Sequence, residues 1–366
     1  MLNLNTLLIR LIPNKLVYLL LQAALLIVLW GAIASPVLAQ PGKQAVILQY
    51  HHISTTTPAI TSISPENFQQ HMNYLQENNF QILPLEQVID SLKNGQTLPD
   101  MAAVITFDDG YVSVYTEAFP LLKELNWPFT IFVTTSLVDS NKALYADWQQ
   151  INEMALAGAT IANHTVSHPY FLEHFEDESM PEWRTRIRNE ITQAEEEILQ
   201  RTGQSHKLLA YPYGEYDLAV LELTKELDFI GIAQHSGAIN VSSNFNALPR
   251  FPFSGIYTSM NSFPTKVKSQ AFTVELLSPA SPVTNEARPS AILNFAEGNY
   301  RLEQLACYNN NATIQATLLD AEEQRYQIDT HINNSSRRFR YNCTAPGEAG
   351  RYYWYSIPWV NPAIAE

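Results

Sequence analysis

The stretch VITFDDGY, Val104 to Tyr111, decides the fold. An apolar run of the kind that forms a strand ends on two adjacent aspartates, Asp108 and Asp109, closed off by Gly110. Carboxylates this close raise each other's pKa and cost stability, so some other group must offset them. A cation is the obvious candidate. The second carboxylate is then free for another task.

Working outward, residues 45 to about 265 alternate short apolar strands with helical patterns. AVILQY (45–50), AAVITF (102–107), PFTIFVT (128–134), ATIAN (159–163), KLLAY (207–211) and FIGIA (229–233) read as strands. Between them, Ser64-Pro65-Glu66 opens a helix with Phe68, Met72 and Leu75 on one face. A long charged helix from about Glu182 to Arg201 keeps Ile187, Ile191, Ala194 and Ile198 in one stripe and stops at Gly203. Asp147 and Asp217 are placed to cap two more helices. This alternation predicts an α/β fold with a parallel sheet. Six or seven units closing on themselves give an incomplete (β/α) barrel over about residues 40–265; an open, doubly wound sheet is the alternative.

Polar clusters follow nearly every predicted strand: Tyr50-His51-His52, Asp108-Asp109, Asn163-His164, Tyr211-Pro212-Tyr213-Gly214 and Gln234-His235. In barrels of parallel strands the carboxyl ends share one face, which holds the active site. HTVSH (164–168) sets two histidines four apart before Pro169, in a turn or short helical segment. Such a pair can present two imidazoles to one ion, and one carboxylate completes an open, three-ligand site of catalytic type. One aspartate then binds the cation and the other acts as a general base. Two histidines and an aspartate suit Zn2+, and cobalt, nickel and manganese fit the same donors.

TFDDG, HTVSH and YPYG, in this order and spacing, resemble the polysaccharide deacetylases, family four of the carbohydrate esterases. The resemblance covers about residues 45–255, including LQYHHIS, FQQHMNYLQENNF and LPRFPF, and is nearest to exported deacetylases of poly-β-1,6-N-acetylglucosamine. It implies Asp108 as catalytic base, Asp109, His164 and His168 as metal ligands, and Tyr213 as donor of a backbone N–H to the oxyanion. It also implies a metal-dependent hydrolase removing N-acetyl groups from an acetylated polysaccharide. Two positions depart from the pattern. Ala210 stands where the family usually has an arginine that orients the base; Arg250 in LPRFPF either supplies that guanidinium or serves as a structural ion-pair partner. The family's general acid is a histidine in a leucine context; His235, in IAQHSG, occupies a comparable strand end without the leucine, and His51 and His52 are the other candidates. Among nearby aromatics, Tyr111 and Trp148 are candidate sugar platforms. Other readings are an O-acetyl polysaccharide esterase, or a non-catalytic glycan-binding protein on the same fold.

Beyond about residue 270 helical patterns give way to short, often alternating runs separated by Pro, Gly, Asn and Ser. FTVELL, AILNF, RLEQLACY, TIQATLLD, RYQIDTHI, RRFRYNC and YYWYSIPW predict a small all-β sandwich over 270–366, after a linker around TSMNSFPTKVKSQ. The aromatic run RYYWYSIPW reads as core packing or as a binding face.

The N-terminus carries Arg10 and Lys15, an apolar run from Leu16 to Ala34, and small residues at Val37 and Ala39. This is the pattern of a signal peptide over 1–39, cleaved after Ala39; an uncleaved membrane anchor is the competing reading. Either way the chain is exported, to the periplasm, the cell wall or the medium, with membrane or cell-wall proximity. In such a compartment Cys307 and Cys343, the two cysteines of the chain, form a disulfide. The net charge of −14 argues against a nucleic-acid partner.

Overall fold

The computed structural model describes residues 42–365. The signal-peptide reading over 1–39 lies outside the described residues. Among the described residues, no helix is long and apolar enough to cross a membrane.

Six parallel strands follow one another in chain order: β1 (Gln44–Tyr50), β2 (Ala102–Phe107), β3 (Thr130–Val133), β4 (Thr160–Asn163), β5 (Leu208–Ala210) and β6 (Ile230–Ile232). The order never reverses, so the doubly wound alternative fails. Beside the first half of β1 lies an antiparallel strand, β7 (Ala238–Asn240). Beside its second half lies the parallel strand β8 (Phe251–Pro252), paired with Leu48 and Gln49. Just upstream, Leu248 bridges Ile232 of β6. Residues 248–252 therefore touch both the last and the first strand, and the sheet curls into the expected incomplete barrel.

The helices between the strands are α1 (Pro65–Glu77), α2 (Leu85–Lys93), α3 (Phe119–Glu124), α4 (Trp148–Leu156), α5 (Met180–Thr202) and α6 (Leu218–Glu226). Their ends obey local chemistry. Ser64 accepts from the Asn67 N–H at 3.1 Å, Asp147 from Gln150 at 2.9 Å and Asp217 from Val220 at 2.8 Å. Gly203 ends α5 at a left-handed φ of 74°.

Alternation along β2 sorts its side chains between two layers. Ala103, Ile105 and Phe107 join an apolar cluster with Phe68, Met72 and Leu75 of α1. Ala102 and Val104 join the layer of Phe132, Ala162, Ala210, Ile232 and Leu248, against which α2 packs Leu85, Val88 and Leu92. Thr106 and Asp108 continue that second face toward the carboxyl end of the strand. Period two thus carries Asp108 into the barrel, and the apolar layer beneath it keeps its carboxylate dry.

The C-terminal strands are β9 (Gln270–Ala271), β10 (Val274–Ser278), β11 (Ala291–Phe295), β12 (Ala306–Asn309), β13 (Ala312–Asp320), β14 (Arg325–Asp329), β15 (Arg338–Pro346) and β16 (Tyr352–Val360). They pair in the order β9-β16-β15-β12-β13-β14-β11-β10. β13 bonds to β12 through Ala312–Ile314 and to β14 through Gln315–Asp320, passing from one half of the sheet to the other. In place of two separate sheets there is one continuous path folded over a single core, with Leu293, Phe295 and Ile328 from one half and Tyr341, Ile357 and Trp359 from the other. Cys307 and Cys343 face each other across β12 and β15 and are joined by a disulfide. The expected strand RLEQLACY starts only at Ala306, because Leu302–Gln304 form a single helical turn.

The expected linker around residues 258–270 is packed. It contains α7 (Phe263–Val267), whose Phe263 is fully buried and stacks on His71 of α1 at 3.8 Å. β9 follows and pairs with β16. A buried ion pair adds to this contact. Arg337 donates to both carboxylate oxygens of Glu215, at 2.6 and 2.9 Å, and Arg338 donates to the same group at 2.8 Å. Glu215 has no exposed surface. Removing one partner of such a pair strands a buried charge. Arg337→Ala is therefore expected to cost about 3–5 kcal/mol, read as a fall in the urea midpoint; an unchanged midpoint would contradict this role.

Candidate active site

The two aspartates of VITFDDGY point to different partners. Asp109 and Gly110 both take left-handed φ values, 71° and 78°, turning the chain sharply off the end of β2. Asp108 is fully buried. Arg250 donates to both its oxygens, at 2.7 and 2.8 Å, and Gln49 of β1 adds a third bond at 2.7 Å. Arg250, also fully buried, is itself held by the Ala233 carbonyl at 3.0 Å and the Thr106 hydroxyl at 3.2 Å. Burial alone would raise the Asp108 pKa, but the Arg250 guanidinium, with His164 and His51, holds it below the ordinary carboxylate value.

Asp109 turns instead to the histidines. Its Oδ1 lies 3.3 Å from His164 Nε2 and 3.5 Å from His168 Nε2. The HTVSH segment forms a tight loop, with Thr165 and His168 at left-handed φ values of 70° and 56°. Asn163 accepts from the Thr165 N–H at 2.8 Å, and Glu190 of α5 accepts from the Ser167 N–H at 2.8 Å. His164 is fully buried, and its Nδ1 donates to the Ala210 carbonyl at 2.8 Å. That bond leaves the Nε2 lone pair aimed at the cluster, where the atom is buried without a hydrogen-bond partner.

One donor atom from each of Asp109, His164 and His168 lies within 4.8 Å of the others, so the three could hold one metal ion. The electrostatics fit the same conclusion. Burial pulls His164 down, yet Asp109 and Asp108 hold its pKa above the ordinary value. Burial, then the charge of His164, pushes His168 down to about 4, so its imidazole stays neutral and able to act as a ligand.

Further residues line the approach. His51 Nε2 is 3.8 Å from Asp108 Oδ2, while its Nδ1 is buried without a hydrogen-bond partner. His52 stacks on Tyr111 at 3.4 Å, and burial pushes its pKa down to about 4. Tyr213, at a left-handed φ of 60°, lies edge-on to His168 at 4.5 Å and flat against Tyr170 at 3.8 Å. Gly214 beside it is obligatory, since an added Cβ would come within 2.7 Å of the Gln234 side chain.

Two candidates stand apart from these groups. Among the described residues, no hydrogen bond, ion pair or ring contact joins His235 to either aspartate or to His164 or His168. Its nearest ring is Tyr216 at 6.4 Å, and burial, helped by Arg340, pushes its pKa down to about 3. Trp148 is no sugar platform, because it is buried with Ile151 and Met154 in the core face of α4. No local pattern announces what the C-terminal strands bring to this rim. The Arg337 guanidinium lies 4.6 Å from the Tyr170 ring and that of Arg338 lies 5.3 Å from the Tyr213 ring.

A curled parallel sheet carries two carboxylates and two histidines at its carboxyl end, and known proteins share its sequence and its fold. Residues 95–232 match the family model described as Polysaccharide deacetylase. Poly-beta-1,6-N-acetyl-D-glucosamine N-deacetylase of Escherichia coli K12 is 26% identical over 246 residues, which cover 57% of this chain and 36% of that protein. This chain thus spans about a third of the length of the first curated relatives it matches. A putative polysaccharide deacetylase, YxkH of Bacillus subtilis, is 26% identical over 205 residues, covering 56% of this chain and 69% of that one. Among solved structures, IcaB from Ammonifex degensii shares the fold at a TM-score of 0.54 and 24% identity, covering 62% of this chain and 97% of that one. Streptococcus pyogenes deacetylase PplD in complex with acetate matches at 0.52 and 24%, covering 59% and 94%.

Replacing Arg250 tests the electrostatics of the pair. In Arg250→Gln burial of Asp108 is no longer opposed by the guanidinium, so its pKa rises. The stability that Asp108 lends is present above its unfolded value near 4 and is lost as pH falls through the depressed folded value. In the variant that contribution shrinks, and the urea midpoint at pH 7 falls toward the value at pH 3. An undiminished pH dependence would contradict this.

Proposed function

We propose that the protein is a metal-dependent hydrolase that removes N-acetyl groups from an extracytoplasmic polysaccharide containing N-acetylglucosamine. The observation that carries the reading is the split of the aspartate pair, Asp108 to Arg250 and Asp109 to the two histidines. The relatives' names support the substrate class, and the N-terminal pattern supports export. Asp109, His164 and His168 would hold the cation, zinc by its donor set. When bound, such an ion supplies Lewis acidity for a water and for the acyl oxygen.

The chain's own groups do the rest. Asp108, ionised and fixed by three donated hydrogen bonds, takes a proton from the attacking water. Arg250 positions that base, in the place of the arginine that Ala210 replaces. The Tyr213 N–H, on a strained turn against His168, donates to the developing oxyanion. For the acid that protonates the leaving nitrogen, the sequence favoured His235, whereas proximity to Asp108 favours His51. The feature behind a non-catalytic reading, alanine at position 210, loses its force because Arg250 supplies the guanidinium.

Acetate release from N-acetylglucosamine oligomers, set against acetylated xylan, tests the reading. Release is expected from the first substrate, abolished by a chelator, restored by zinc, and lowered about 10²–10⁴-fold in Asp108→Asn. Activity that survives both chelator and Asp108→Asn would overturn it. His51→Gln is expected to lower kcat about 10²-fold while His235→Gln leaves it nearly unchanged; the reverse ranking would return the acid to His235.

A further inference from the structure

Arg340 on β15 and Lys266 on α7 converge on one ring. Lys266 Nζ lies 4.8 Å from the centre of the Tyr257 ring, and the Arg340 guanidinium 5.6 Å from it. Lys266 is nine-tenths buried, yet its ammonium makes no hydrogen bond or ion pair among the described residues. Arg340 donates only to the Gln234 carbonyl, at 3.4 Å, and has no carboxylate within ion-pair distance among the described residues. Burial, then the charge of Arg340, pushes the pKa of Lys266 down to about 8. In a chain with 36 acidic and 22 basic residues, two cations left side by side without an acid are an anomaly. Desolvating an ammonium without a counter-charge is costly, and an anion from outside removes that cost.

Arg340 and Tyr257 also sit where a polymer would pass. Gln234, Tyr257 and Arg340 form a wall shared by two cavities. One, of about 220 Å³, reaches back to Tyr213 and Gly214 beside the candidate metal ligands. The other, of about 870 Å³, opens toward Ile60 and Ile256. An arginine offers a carboxylate a planar, two-pronged donor set, and an exposed tyrosine ring beside it offers a sugar face.

We propose that Arg340, backed by Lys266, forms a subsite for a carboxylate on the glycan, so that the preferred substrate is an acidic polymer in which N-acetylhexosamine stands close to a uronate. The inference rests on the deacetylase reading and narrows its substrate class. It also gives the β domain a task, since Arg340 comes from that domain.

The test uses two oligomers of equal length and linkage. In one, N-acetylglucosamine alternates with glucuronate. In the other, the same carboxylates have been reduced to primary alcohols. The full chain is expected to release acetate from the acidic oligomer with a KM about tenfold lower and a similar kcat. Arg340→Gln should erase the difference by raising KM on the acidic oligomer alone, while Arg340→Lys keeps part of it. Equal KM values for the two oligomers in the unaltered protein, or equal losses on both in Arg340→Gln, would overturn the proposal. If neither oligomer releases acetate, the deacetylase reading fails, and calorimetric binding of the same pair decides the subsite. Tighter binding of the acidic oligomer, lost in Arg340→Gln, upholds it; equal binding overturns it.

Discussion

A guanidinium and a carboxylate sealed inside the barrel set the terms for everything around them. Arg250 and Asp108 have no exposed surface and share two short hydrogen bonds. A buried pair of this kind is tolerated only when its remaining donors are satisfied. Here the Ala233 carbonyl, the Thr106 hydroxyl and Gln49 meet that need. These partners come from β1, β2 and the end of β6, so the pair forms only when residues 248–252 close the gap between β6 and β1. Barrel closure and the fixing of Asp108 are one event.

The second consequence concerns Asp109. With Asp108 occupied by Arg250, its neighbour is left to the histidines, on a turn whose left-handed backbone is strained at a non-glycine residue. The same strain recurs at Thr165, His168 and Tyr213. These positions ring one small volume, and packing from α5, through Glu190, helps keep them there. The C-terminal strands brace the far side through Arg337 and Arg338, which hold Glu215, two residues beyond Tyr213.

Much of this was legible in the sequence, for physical reasons. AAVITF is observed residue for residue as a strand, because a run that is apolar but for Thr106 suits a strand buried on both faces of a parallel sheet. The aspartate pair and HTVSH were legible because metal-binding chemistry needs those side chains at close spacing. The closing strand was hidden: LPRFPF carries two prolines, shows no period of two, and forms only a two-residue pairing. Arg250 was visible as a candidate partner of Asp108 only through the resemblance, and a structural ion pair elsewhere stayed open, since the two are 142 positions apart. Adjacent histidines 51 and 52 left the choice open; alternation past β1 sends one toward Asp108 and the other toward Tyr111. Trp148 was misread, although Ile151 and Met154 at steps of three mark it as one face of a buried helix. The arginines of β15 reach the site only through tertiary contact, which no local pattern encodes.

The account turns on the two aspartates having separate tasks, and metal content measures that most directly. Purified Asp108→Asn and Asp109→Asn proteins, loaded with zinc and dialysed, would be analysed for bound metal. The account predicts about one equivalent in Asp108→Asn, as in the unaltered protein, and a large loss in Asp109→Asn. Equal retention in both variants, or loss in Asp108→Asn with retention in Asp109→Asn, would contradict it.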